Sequence, residues 1–225
     1  MKTDCSTAKG SLILVSASQR RKSLVASFEP SVQVVAPSGH EGSRREGETP
    51  EQMVVRIALA KSRDLDVEVF ADAFLSADTI VVLGEDVLGK PSTSSDATEM
   101  LKSLRGRTHR VVTGVVLVEE VSGRCSYRVN SSDVEIRMIT DEEIEEYVVS
   151  GEPFDKAGGY AVQDPSFKPA VSVRGCYLNV VGLPMCDVVE LIEEVGINVS
   201  LSTGWEPPKD CLDCPLTCNS GRITT

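Results

Sequence analysis

The sequence predicts an α/β fold built on a mixed sheet, and three observations carry that prediction. Short β-branched or apolar runs at Ser11 to Ala17, Val32 to Ala36, Thr79 to Leu83 and Val111 to Val118 suit buried strands. Between them lie segments with helical spacing of apolar residues and N-terminal capping signatures, such as Thr49-Pro50-Glu51-Gln52 and Thr140-Asp141-Glu142-Glu143. The two kinds of segment alternate along the chain without an internal repeat, which is the pattern of an α/β domain and not of a solenoid. At 225 residues, 41% of them apolar, the chain is long enough to bury one large core.

The first element is the Ser11–Ala17 strand, followed by Ser18 as a helix cap and a helix carrying Leu24, Val25 and Phe28. That helix opens with Gln19-Arg20-Arg21-Lys22, which places cations at the positive end of the helix dipole. An anion held there, with help from the hydroxyls of Ser16 and Ser18, would relieve the conflict; a solvated basic turn is the alternative. After the Val32–Ala36 strand comes a polar loop, Pro37 to Glu48, in which Glu41 is read from its surroundings as solvated. Thr49 then caps a helix whose face is Val54, Ile57, Ala58, Lys61 and Leu65. Lys61 falls inside the apolar stripe, so it either snorkels to solvent or meets a negative group at the stripe's edge.

The stretch from Leu75 to Pro91 holds an acid and a base at the two ends of one hairpin. Asp78 stands at the entrance of the Thr79–Leu83 strand, Gly84-Glu85-Asp86 makes the turn, and the return limb ends in Lys90-Pro91. A carboxylate before a buried strand is costly unless hydrogen bonds, a cation or a metal offset its desolvation, although Asp is also a common turn former. A helix from Asp96 to Leu104 follows, closed by Gly106, then two long strands at Val111–Val118 and Tyr127–Met138 and a third helix from Thr140 to Gly151. The paired glycines of Lys156-Ala157-Gly158-Gly159-Tyr160 allow close backbone approach. Ala170 to Val181 reads as a strand, and Leu183-Pro184 opens a last helix ended by Gly196.

Composition narrows the function. The formal net charge of -11 argues against a nucleic-acid polymer as partner, while a small anion remains open if the few basic residues converge. No apolar run approaches the ~20 residues of a membrane span, and Met1 to Gly10 lacks a secretory pattern, so a cytoplasmic location is expected. The expected division is an extension at 1–10, one domain at 11–199 and a flexible tail at 200–225. Cys211, Cys214 and Cys218 in that tail, spaced C-x2-C-x3-C, lack a nearby fourth ligand for structural zinc, so a metal site there needs a distant ligand such as Cys5.

Several ordered motifs together resemble the Maf family of nucleoside triphosphate pyrophosphatases. They are Ser16-Ala17-Ser18-Gln19-Arg20-Arg21, Ser76-Ala77-Asp78-Thr79, Gly89-Lys90-Pro91, Gly106-Arg107-Thr108-His109, Glu152-Pro153-Phe154-Asp155-Lys156-Ala157-Gly158 and Asn179-Val180-Val181-Gly182-Leu183-Pro184. The resemblance implies a two-lobed fold with the substrate in the cleft, cleavage of a nucleoside triphosphate between the α- and β-phosphorus, and a divalent metal, usually Mg²⁺. It is often a dimeric family, which leaves a homodimer open. By position, Asp78 corresponds to the proton acceptor or a metal ligand, Arg20, Thr79 and Gln163 to residues that tune base choice, and Glu41, Lys61 and Lys90 to metal or phosphate contacts. Ser18, Arg21 and Lys156 lie in the same motifs and join the substrate-binding set. Gln163 matches the branch acting on dTTP and UTP, whereas the branch preferring 7-methyl-GTP carries Glu there; its amide can accept from a pyrimidine N3–H and donate to O4. A non-catalytic nucleotide-sensing regulator of cell division is the alternative of another class. Gln19, Ser76 and Asp164-Pro165-Ser166 depart from the family's usual proline, glycine and glycine-rich run.

Overall fold

The structure, a computed structural model, describes residues 10–39, 42–65 and 69–211. Among these, seven strands form one sheet: β1 (Leu12–Val15), β3 (Gln33–Val35), β4 (Ala73–Leu83), β5 (Asp86–Leu88), β6 (Thr108–Glu119), β7 (Cys125–Ile136) and β8 (Ala170–Arg174). Its order is β3-β1-β4-β6-β7-β8, with β5 paired to β4. β1 runs parallel to both β3 and β4, whereas β4, β6, β7 and β8 are antiparallel neighbours, so β4 joins a parallel half to an antiparallel half. The expected mixed sheet is therefore present, and its seam is a single long strand.

That seam has a gap. On one edge of β4, β1 pairs with Ala73 to Ser76 and β5 pairs with Val81 to Leu83. Between them Ala77, Asp78, Thr79 and Ile80 face neither strand, just beyond the carboxyl end of β1, the place where open α/β sheets hold ligands.

Helices cover the sheet: α1 (Gln19–Val25), α2 (Pro50–Arg63), α3 (Ser94–Leu104), α4 (Asp141–Val149), α5 (Tyr177–Val181) and α6 (Met185–Glu194). Capping boxes at Thr49 with Gln52, Thr93 with Asp96 and Thr140 with Glu143 start α2, α3 and α4. Each satisfies amide donors that a helix start otherwise leaves open. One core cluster gathers Leu12, Leu14, Phe28, Leu75, Leu178, Met185 and Leu191; a second gathers Val81, Leu101, Leu104, Ile144, Tyr147 and Phe167. β4 contributes to both, and the gap lies between them, which is the two-lobed arrangement expected.

Four local expectations are corrected. β4 begins at Ala73, so Asp78 stands inside an eleven-residue strand and not at a turn before it; Ala73 to Ala77 are buried against β1 and β6, and that pairing overrides the turn preference of Asp. Phe28 is not on the first helix: α1 ends at Val25 and Phe28 pairs with Leu201, joining β2 (Phe28–Glu29) to β9 (Ser200–Leu201). The segment expected as one strand from Ala170 to Val181 breaks at Gly175, whose φ is +106°, and resumes as α5 capped by the Cys176 sulfur. The folded unit also extends past Ser200, through β9, a Trp205 packed on the first cluster and a Cys211 that is 5% exposed. Aromatic and sulfur side chains in that stretch find core contacts that its Gly- and Pro-rich composition hid. Cys5, Cys214 and Cys218 lie outside the described residues, as does Glu41. No helix among the described residues is long and apolar enough to cross a membrane.

Candidate active site

The gap in the β4 edge opens into a cavity of about 300 Å³. The β1–α1 loop with Ser16 and Ser18 lines it, as do Arg20 and Arg21 of α1, Lys61 of α2, Asp78 and Thr79 of β4, Lys90, and the Asp155–Gln163 segment. Residues far apart in sequence meet here because β1 and β5 stop on either side of four positions that have no strand partner on that edge of β4, though β6 pairs them on the other.

Successive strand residues point to opposite faces, so Asp78 and Thr79 meet different helices. Asp78, 6% exposed, accepts from the Lys61 ammonium, with Nζ to Oδ1 at 2.6 Å. Its second oxygen has no hydrogen-bond partner among the described residues. Two small residues bring α2 close enough for this contact. Gly114 lies opposite Asp78 on β6, and a Cβ there would stand 2.9 Å from the Val54 carbonyl carbon of α2. Ser76, two positions before Asp78, is fully buried and donates from Oγ to the Ala58 carbonyl at 2.7 Å. The Ser76 hydroxyl therefore ties β4 to α2. Of the two readings open for Lys61, the negative partner is correct, and snorkelling is overturned by the nearness of Asp78.

On the other face, Arg21 is 8% exposed and acts as part of the wall. Its Nε donates to the Gly182 carbonyl at 2.7 Å and its Nη2 to Thr79 Oγ1 at 2.8 Å. Gly182 ends α5 in the left-handed region at φ +112°, a conformation that side chains resist and that presents its carbonyl to the guanidinium. Behind Thr79, Thr113 Oγ1 stands 2.8 Å away, and Asn179, with no exposure, links Val111 and Ser132 through its amide nitrogen.

The rim is charged in both signs. Arg20 pairs with Asp155 at 3.4 Å, and the Lys156 ammonium pairs with Asp155 at 2.6 Å and Glu152 at 2.9 Å. Burial alone would raise the Asp155 carboxyl, but Lys156 and Arg20 outweigh it and hold the group below its ordinary range. Lys156 lines the cavity with its charge already met inside the loop. The Gly158 amide donates to the Gly89 carbonyl at 2.9 Å, which anchors the chain beside Lys90. Gln163 is exposed at the mouth, followed by a turn that the Asp164 carboxylate closes on the amides of Ser166 and Phe167.

The structure thus gathers Ser18, Arg20, Arg21, Lys61, Asp78, Thr79, Lys90, Lys156 and Gln163 around one cavity. Glu41 lies outside the described residues. Sequence reasoning missed Thr113, which looks like any β-branched strand residue, and Asn179, whose place in the Asn-Val-Val-Gly-Leu-Pro motif was the available signal. It also missed the pair of His109 and Tyr160, whose Nε2 and Oη lie 2.6 Å apart beneath the cavity floor to which Tyr160 belongs. Burial brings the His109 imidazole down to about 4.

A family model described as Maf-like protein matches residues 11–195. The chain belongs to the Maf family. Maf relatives similar to it include a protein named dTTP/UTP pyrophosphatase from Dehalococcoides mccartyi (strain CBDB1), 39% identical over 205 residues that cover 91% of each chain. Proteins of the same name from Syntrophotalea carbinolica and Geotalea uraniireducens are each 41% identical, over 82% and 84% of this chain and 84% and 97% of their own lengths. The matched Maf segment holds the whole cavity wall described above.

Proposed function

We propose that the protein hydrolyses dTTP and UTP to the monophosphate and pyrophosphate, with water attacking the α-phosphorus. The observation that carries this reading is the buried Asp78–Lys61 pair in the wall of a cavity whose other side holds Arg20, Arg21 and Lys90. Its support from relatives is the shared name dTTP/UTP pyrophosphatase over most of the chain. A triphosphate brings about four negative charges to a protein of net charge -11, so local cations are required to hold it.

In this reading the Asp78 oxygen left free by Lys61 takes the proton of the attacking water. Lys61 fixes the direction of the carboxylate, as a pre-set ion pair costs no rearrangement at the moment of reaction. Arg21, held by Gly182 and Thr79, presents its guanidinium in a fixed orientation, while Arg20, Ser18 and Lys90 meet the phosphates from the rim. Lys156 supports this set by holding Asp155, the partner of Arg20.

A divalent cation, Mg²⁺ by the chemistry of the donors, suits the site: a hard ion that binds chiefly the substrate's own phosphates and water needs only one or two carboxylates from the protein, and the open oxygen of Asp78 is kept for the attacking water. Glu41 is the proposed carboxylate ligand. Bound there, the ion would neutralise charge building on the phosphate oxygens. Location in the cytoplasm and a small-molecule nucleotide as partner, with no nucleic-acid polymer, complete the proposal; a homodimer is its proposed assembly. The test is pyrophosphate release from UTP, dTTP, CTP and 7-methyl-GTP, with Mg²⁺ and with a chelator. Release from UTP and dTTP only when Mg²⁺ is present is expected, and preference for 7-methyl-GTP would reassign the base.

A further inference from the structure

We infer that Thr113, buried behind the cavity wall and assigned no role by the motifs, is a specificity-determining residue that makes Thr79 an acceptor-only group toward the base. The inference rests on the pyrimidine nucleotide reading above. Thr113 has no exposure and lies directly opposite Thr79 in the β4–β6 pairing. Three contacts form a line. Arg21 Nη2 stands 2.8 Å from Thr79 Oγ1, Thr79 Oγ1 stands 2.8 Å from Thr113 Oγ1, and Thr113 Oγ1 stands 3.0 Å from the Asn179 carbonyl oxygen.

The two ends of the line fix its middle. A guanidinium only donates, a carbonyl oxygen only accepts, and each hydroxyl carries one proton. Thr113 therefore gives its proton to Asn179, and the contact between the two hydroxyls can be made only by the proton of Thr79. If Thr113 turned its proton to Thr79 instead, its oxygen would face the Asn179 oxygen at 3.0 Å with no proton between them, in a place water does not reach. Of the two acceptor sites on Thr79, Arg21 occupies one. A single lone pair is what remains for the cavity.

A free threonine hydroxyl turns to suit whatever it meets, and this one does not. Uracil and thymine carry a donor at N3–H, between two carbonyl oxygens that an acceptor-only group would repel. Cytosine has a bare nitrogen at that position. With Thr79 facing the base, as the resemblance implies for Thr79 and Gln163 together, its hydroxyl set in this way accepts from N3–H in place of the Gln163 oxygen, and Gln163 is left to donate to a ring carbonyl. Against cytosine the same lone pair meets another lone pair. Discrimination of uracil from cytosine is thus set by a residue that never touches the nucleotide.

The test uses the whole protein and measures binding of the α,β-imido analogues of UTP and CTP by calorimetry in Mg²⁺. Thr113→Val keeps the side-chain shape and removes the acceptor of Thr79's proton, which is then free to enter the cavity. We expect the UTP-to-CTP affinity ratio to fall roughly tenfold in this variant. Thr113→Ser restores the hydroxyl and is expected to keep the wild-type ratio. An unchanged ratio in Thr113→Val, including an equal loss for both analogues, would overturn the inference, as would the same fall in Thr113→Ser. Should Thr113→Val not fold, Thr113→Ala removes the same acceptor and is read in the same way. UTP turnover by the wild-type sample reports separately on the enzymatic reading: a ratio that shifts in a protein without turnover supports Thr113 and refutes the pyrophosphatase.

Discussion

Replacing His109 with Gln should make the fold less sensitive to acid by a calculable amount. In the folded protein His109 is 3% exposed, and burial brings it from its ordinary 6.5 to about 4. The group stays neutral when folded, down to about pH 4. Once unfolded it takes up a proton below pH 6.5, so the unfolded state binds more protons in that window and stability falls as the pH falls through it. No loss from this source is present at pH 7.5. At pH 5 the separation already spanned corresponds to about 2 kcal/mol, at about 1.4 kcal/mol for each pH unit below 6.5. Most carboxylates are still ionised at pH 5, so the wild-type loss there is dominated by histidine. The assay is urea unfolding of wild type and His109→Gln at pH 7.5 and pH 5. The amide of Gln can still meet Tyr160 Oη, and the quantity read is only the change between the two pH values in each protein. Wild type should lose about 2 kcal/mol more than the variant over this interval. Equal losses would refute the claim that His109 is buried neutral.

Asp78→Asn keeps the side-chain shape and loses its basicity, so kcat for UTP should fall by about 10² to 10⁴ while the melting temperature stays near that of wild type. Near-wild-type turnover would remove Asp78 from the chemistry. Gln163→Glu replaces an amide donor with a carboxylate at the cavity mouth, and kcat/KM for UTP and dTTP should drop by tenfold or more, on the order of the ~1 to 3 kcal/mol that a mispaired polar group costs. An unchanged ranking of UTP, dTTP, CTP and 7-methyl-GTP would exclude Gln163 from base recognition. Ending the chain after Ser200 removes Leu201, the partner of Phe28, together with Trp205 and the buried Cys211. A stability loss of at least about 2 kcal/mol is expected in urea, the scale of one buried apolar side chain, and an unchanged midpoint would show that this segment does not hold the core.

Much of the fold was legible because its signals are local. Thr49 and Thr140 are each followed three residues later by the partner that completes a capping box, and α2 and α4 begin where that chemistry places them, whereas α3, expected from Asp96, begins at Ser94 behind the unread cap Thr93. What failed was decided by distant pairing. Asp78 looks like a turn residue until β1 and β6 are laid beside Ala73 to Ala77, and Phe28 continues a helical stripe until Leu201 arrives from the far end of the chain. At the site, the charged residues announced themselves by being costly where they stood. Lys61 in an apolar stripe left snorkelling and a negative partner both open, and the partner, Asp78, decides between them. Thr113 gave no such sign, because a threonine in a strand is ordinary and its meaning comes from the carbonyl behind it.

The measurement closest to the central claim is UTP hydrolysis in water enriched with oxygen-18, followed by mass analysis of both products. Attack on the α-phosphorus, with Asp78 taking the proton of the attacking water, predicts one labelled oxygen in UMP and none in pyrophosphate. Label in pyrophosphate, or release of orthophosphate in its place, would contradict it.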